Sequence, residues 1–164
     1  MQLVAVPLLA LGLVVGLGSP VSADGRLGDD HGGRGRRLVA TMTGTNEVPG
    51  PGSDTLTGTA EIVIAPNAKS FCYSIVLNHG AQTTAAHIHL GDAGEAGPVV
   101  IPLVAPAPGS TTSAACMSAS RAVLRDIERR PDDYYVNVHT QGHPAGALRG
   151  QLVPVRDGHH EHGD

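Results

Sequence analysis

Two stretches of this chain alternate aliphatic and polar side chains with a period of two, a rhythm that fits a β-strand and not an amphipathic helix. In residues 84–90 (TAAHIHL), Ala86, Ile88 and Leu90 fall on one side and His87 and His89 on the other. In residues 134–140 (YYVNVHT), Val136 and Val138 fall on one side and Tyr135, Asn137 and His139 on the other. Successive side chains of an extended backbone point to opposite faces. The aliphatic sets are therefore expected in the core and the imidazoles on the opposite surface. Short apolar or alternating runs recur at residues 38–42, 55–65, 70–77, 99–104, 114–117 and 147–153. Within the second of these, Leu56, Ala60, Ile62 and Ile64 share a side. Gly- and Pro-rich turns separate the runs, Pro49-Gly50-Pro51-Gly52 among them. The pattern predicts an all-β fold, an antiparallel β-sandwich or barrel. One segment departs from it. Over residues 120–130, Val123, Leu124 and Ile127 share a helical face, Ser118 or Ser120 can cap, and Pro131 follows, which predicts one short helix.

The two ends of the chain read differently. Residues 1–23 hold no charged side chain, and Val21-Ser22-Ala23 supplies the small-x-small pattern of a cleavage site. This predicts a signal peptide, with an n-region that lacks Lys or Arg. After cleavage no remaining stretch is apolar enough to span a membrane, and secretion or retention in the cell envelope is expected. Residues 24–37 (DGRLGDDHGGRGRR) read as a flexible linker and residues 156–164 (RDGHHEHGD) as a His-rich polar tail. One domain over residues 38–155 remains. Its core must be mainly aliphatic, because the chain has no Trp, one Phe and three Tyr. The formal net charge of −4 provides no basic footprint for nucleic acid. The only two cysteines of an exported chain predict one disulfide, Cys72–Cys116. Closing that loop constrains the unfolded chain by about 3–4 kcal/mol.

The chemistry gathers on the histidines. An H-x-H strand presents two imidazoles on one face, and His139 offers a third if its strand is a neighbour. Three such rings suit copper or zinc. A second reading is equally open here: His87 and His89 hydrogen-bond loop backbone and hold the turn at residues 91–98 (GDAGEAGP). That turn lacks the Lys-Ser/Thr pair of a phosphate loop, and no helical pattern follows it. Asp92 and Glu95 read as solvated. Glu47 reads as a loop-fixing carboxylate. Arg149 is placed to pair within the fold or to attract an anion. His159, His160 and His162 form an accessory metal-gathering tail on composition. There is no G-x-S-x-G nucleophile, and the cysteines are expected to be paired, so nucleophilic catalysis has no support.

Several signatures in order resemble the CHRD (chordin) domain family. They are Glu47-Val48-Pro49, Gly58-Thr59-Ala60, Cys72-Tyr73, Ala86-His87-Ile88-His89, the Gly91, Gly94 and Gly97-Pro98-Val99-Val100 series, residues 134–140, and Pro144, Gly146 and Arg149-Gly150-Gln151-Leu152. The resemblance covers nearly all of residues 38–153. It implies an extracellular β-sandwich-type domain, of the kind found in chordin and in exported bacterial proteins, acting as a non-enzymatic binding or structural module. The extracellular ligand is not specified. Chordin's cysteine-rich growth-factor-binding repeats have no counterpart here, so its antagonist function does not carry over. A weaker similarity is to copper/zinc superoxide dismutases, which carry an H-x-H strand, a later strand histidine and an arginine near the C-terminus. It implies His87, His89 and His139 as copper ligands and Arg149 as the anion guide. The zinc-ligand loop and the bridging histidine have no clear counterparts.

Overall fold

The computed structural model describes residues 35–155. The expected signal peptide, the expected linker up to residue 34 and the His-rich tail lie outside the described residues. Nine strands form one antiparallel sheet: β1 (Arg36–Thr43), β2 (Thr57–Ile64), β3 (Ser70–Leu77), β4 (Thr83–Leu90), β5 (Val99–Leu103), β6 (Thr112–Ser118), β7 (Tyr134–Thr140), β8 (Leu148–Gln151) and β9 (Val153–Pro154). The spatial order is β5-β4-β7-β8-β1-β2-β3-β6, with β9 paired to β1. The expected all-β fold takes the form of a half-barrel, one sheet curled around one core. Arg36 and Arg37, read as the end of the linker, open β1 opposite Ile64 and Val63.

The core follows the period-two rhythm. Leu38, Ala40 and Met42 of β1, Ala60, Ile62 and Ile64 of β2, and Phe71, Tyr73, Ile75 and Leu77 of β3 line one interior with Ile88 and Val138. The single helix α1 (Arg121–Arg129) fills the remaining space with Leu124 and Ile127, both fully buried, and Val123 packs beside them. Ser120 occupies the N-cap position of α1, but its hydroxyl makes no capping bond. The run at residues 147–153 proves to be two strands. Leu152 is buried between them, and its N–H donates to the Tyr134 carbonyl, so the chain leaves β7 and passes to β1 as β9. Leu90, expected inside, is 37% exposed, because it ends β4 where the chain leaves the sheet at Gly91.

Two features hold the curl together. β3 pairs along its length with the edge strand β6, and the expected Cys72–Cys116 disulfide joins directly opposed residues of that pair. At the other edge, the Tyr73 hydroxyl crosses the interior to the chain just beyond β5. It accepts from the Val104 N–H at 2.7 Å and donates to the Val104 carbonyl at 3.2 Å. The Tyr73 side chain thus ties β3 to the chain leaving β5, where no ladder runs between them. Replacing Tyr73 by Phe is expected to remove both hydrogen bonds to the Val104 backbone and cost about 0.5–1.5 kcal/mol. A urea midpoint unchanged from wild type would show that the contact contributes nothing.

Candidate metal centre

β4 and β7 are neighbours, antiparallel, with His87 opposite Asn137, His89 opposite Tyr135, and Ala85 opposite His139. This register sets His87 and His139 on a diagonal of the same face, within reach of long side chains. A register irregularity between Thr83 and Ala85 lies beside it. The three expected histidines come together. His87 Nδ1 is 3.3 Å from His139 Nε2, and one ligand nitrogen from each of the three rings lies within 4.8 Å of the others. An ion about 2.0–2.1 Å from each nitrogen at tetrahedral angles sets the nitrogens about 3.3–3.4 Å apart, the spacing already present between His87 and His139.

Hydrogen bonds orient two of the rings. His89 Nδ1 lies 2.9 Å from the Gly97 carbonyl and His139 Nδ1 lies 3.0 Å from the Pro144 carbonyl. A carbonyl only accepts, so both Nδ1 atoms carry the proton and both Nε2 atoms hold a lone pair. A backbone partner of this kind fixes the tautomer of a metal-ligating histidine. His89 Nε2 is buried and makes no hydrogen bond within the protein. His87 is the ring without such a carbonyl. Its Nδ1 donates to His139 Nε2 in the neutral pair and is free to exchange its proton for an ion.

The face carrying these rings is not an open surface. Loops roof it, which the alternation of β4 and β7 did not disclose. Tyr135 and Asn137 are each 3% exposed, and His89 is 9% exposed. One roof is the turn at residues 91–98. Its backbone folds so closely at Gly97 that a Cβ there would collide with the Leu90 carbonyl. Arg149 clamps this turn, donating to the Glu95 and Asp92 carbonyls at 2.7 and 2.6 Å, while Gln151 donates to the Gly91 carbonyl at 3.0 Å. The guanidinium carbon of Arg149 sits 3.5 Å from the Tyr135 ring centroid, and that ring stacks on His89 at 4.7 Å. An anion-guiding Arg149 would need an exposed guanidinium. This one is 2% exposed and spends its donors on the turn, so it pairs within the fold.

The second roof is the loop that follows β1. Glu47 is buried, and Asn137 Nδ2 donates to both of its oxygens at 2.9 and 3.0 Å, which makes Glu47 the loop-fixing carboxylate the sequence indicated. Gly146, with φ +151°, lets the β7–β8 hairpin wrap this carboxylate, and any Cβ there would overlap it. Burial pushes the Glu47 carboxyl above its ordinary value of 4.5, against the pull of Asn137 and Arg149. Among the other histidines, His79 is exposed on the β3–β4 connection. His143 lies in the β7–β8 hairpin beside the Thr140 hydroxyl, outside the cluster. Asn137, Tyr135 and Gln151 were not singled out as functional. Tyr135 and Asn137 share a strand face with His139, and both they and Gln151 fall within the signatures that resemble the CHRD family.

A family model described as the CHRD domain matches residues 38–152. No curated protein and no solved structure matches the chain.

Burial, and then the neighbouring rings, push the His87 pKa below the ordinary 6.5. Burial also lowers His89, with smaller contributions from His139 and Arg149, and the Gly97 carbonyl opposes them. The folded state therefore binds fewer protons than the unfolded chain below that value. Stability present above about pH 6.5 is expected to fall as the pH drops. Glu47 acts in the opposite sense: its contribution is complete below 4.5 and is lost as the pH rises through its folded value. Comparing wild type with His89→Gln cancels the Glu47 contribution. Urea midpoints between pH 7.5 and 5.5 are expected to decline less steeply in the variant, and equal slopes would contradict the assignment.

Proposed function

The chain belongs to the CHRD domain family, and from that premise we propose that it is an exported, non-enzymatic binding module holding a copper ion at His87, His89 and His139. The observation that carries the reading is the buried His89 Nε2, a lone pair held away from water with no hydrogen-bond partner. An unpaired buried acceptor is costly, and a cation between three convergent imidazoles relieves it. His89 and His139 would bind through Nε2, and His87 through Nδ1.

The donor set fits the ion. Three neutral nitrogens suit copper or zinc, and at an imidazole site divalent copper outcompetes zinc on intrinsic affinity. Bound copper supplies a Lewis-acidic, redox-active centre. The chain's own residues hold and orient it: Gly97 and Pro144 direct two ligand rings, and the lowered proton affinity of His87 and His89 keeps them in the ligating form. No group beside the rings has the features of a nucleophile, and Arg149 is withdrawn into the roof, so binding is favoured over turnover. Export is supported by the apolar leader sequence, the cross-strand disulfide and the family.

A second reading leaves the imidazoles structural, pinning the Gly97 and Pro144 loops. The same two carbonyl contacts favour it, but it leaves His89 Nε2 without a role. Metal analysis separates the two. In the full chain with His159, His160 and His162 changed to serine, one equivalent of copper is expected. His87→Ala in that background is expected to weaken binding by more than about 100-fold. Copper that vanishes with the tail histidines alone would overturn the metal reading.

A further inference from the structure

Three ring nitrogens leave a four-coordinate ion one ligand short, and among the described residues no fourth His, Cys, Asp or Glu joins the group. A site with three protein ligands keeps a position for an exogenous one. His87 and His139 are only half-buried, so solvent reaches that side of the cluster.

The residue on the floor of the site is Asn137. It lies in register with His87 and two residues before His139, so its side chain stands on the same face of the sheet as the three imidazoles. It is 3% exposed. Its orientation is set by Glu47: a carboxylate accepts, so the amide nitrogen must face it, and Nδ2 bonds both oxygens. Oδ1 is thereby turned away from Glu47. That atom is buried and makes no hydrogen bond within the protein. A carboxylate drawing on the amide N–H polarises the group and strengthens Oδ1 as an acceptor. The cluster thus contains a buried lone pair on His89 that calls for a cation. On the same sheet face, in the cross-strand pair with His87, stands a buried, polarised oxygen that calls for a proton donor.

Resting on the copper reading above, we infer that the fourth coordination position takes an exchangeable protic oxygen ligand, a bound water, whose O–H donates to Asn137 Oδ1. Coordination to a cation sharpens the acidity of water and so its strength as a donor. Asn137 is a selectivity residue: it favours ligands that bring a proton and disfavours aprotic anions, which would face its oxygen without one. Glu47 acts through Asn137 as a positioning residue.

The test uses the full chain with His159, His160 and His162 changed to serine, loaded with copper(II) and assayed for metal content. Electron–nuclear double resonance in H2O and D2O is expected to show an exchangeable proton coupled to the copper. Azide is expected to displace that ligand and raise a charge-transfer band. Asn137→Ala should bind azide about tenfold more tightly at unchanged copper content, since the competing water has lost a hydrogen bond. If one equivalent of copper is present but the exchangeable coupling is missing, or azide affinity is the same in both proteins, the inference fails and the copper reading stands. If no copper is retained, both fail. Where Asn137→Ala does not fold, the near-isosteric Asn137→Leu takes its place: tighter azide binding than wild type supports the inference, and equal affinity overturns it.

Discussion

The antiparallel register between β4 and β7 is the constraint on which the centre depends. Two strands with polar outer faces would ordinarily leave those faces to water. Here the pairing sets His87, His89 and His139 within a few ångströms of one another, and two loops cover the polar rows beside them. A one-residue slip would carry every imidazole into the aliphatic interior and every valine out of it. Ile88, Val136 and Val138, all fully buried, oppose that slip on the core side. The same packing that stabilises the domain therefore fixes the spacing of the ligand nitrogens.

The roof is assembled from residues with conflicting needs. Arg149 is a permanent charge taken out of water, and it is satisfied by carbonyls of a turn rich in glycine and by the face of Tyr135. That cation discourages protonation of His89. Glu47 is the buried acid on the other flank, held by an amide and not by a full ion pair. The arrangement sets the histidine cluster between one buried cation and one buried carboxyl, with His87 and His89 held below the ordinary imidazole value. For a site that must accept a cation in place of protons, that balance matters more than any single distance.

Much of this was legible in the chain because a period of two is a geometric consequence of extended backbone. It disclosed which side chains of β4 and β7 share a face, and the cysteine pair disclosed a cross-link. Strand order was not legible: nothing in residues 84–90 or 134–140 names its partner, and the convergence of the rings hung on adjacency. The roof was hidden for a different reason. A loop that buries Glu47 or is clamped by Arg149 is held by contacts 90 and more than 50 residues apart in the chain, and local composition carries no trace of them. Leu90 was misjudged because alternation predicts a side and not whether a neighbour exists beyond the strand's end. The division of residues 147–153 into β8 and β9 likewise depends on where β1 lies.

The way Tyr73 meets Val104 has a mechanical meaning. A ladder shares strain across many parallel bonds and yields only when several give way together. No ladder runs across the Tyr73–Val104 line: the strands on either side are joined by one hydroxyl and by the connection from β5 to β6, which is pinned at Pro106 and Gly109. Parting them breaks fewer bonds than parting β3 from β2 or from β6.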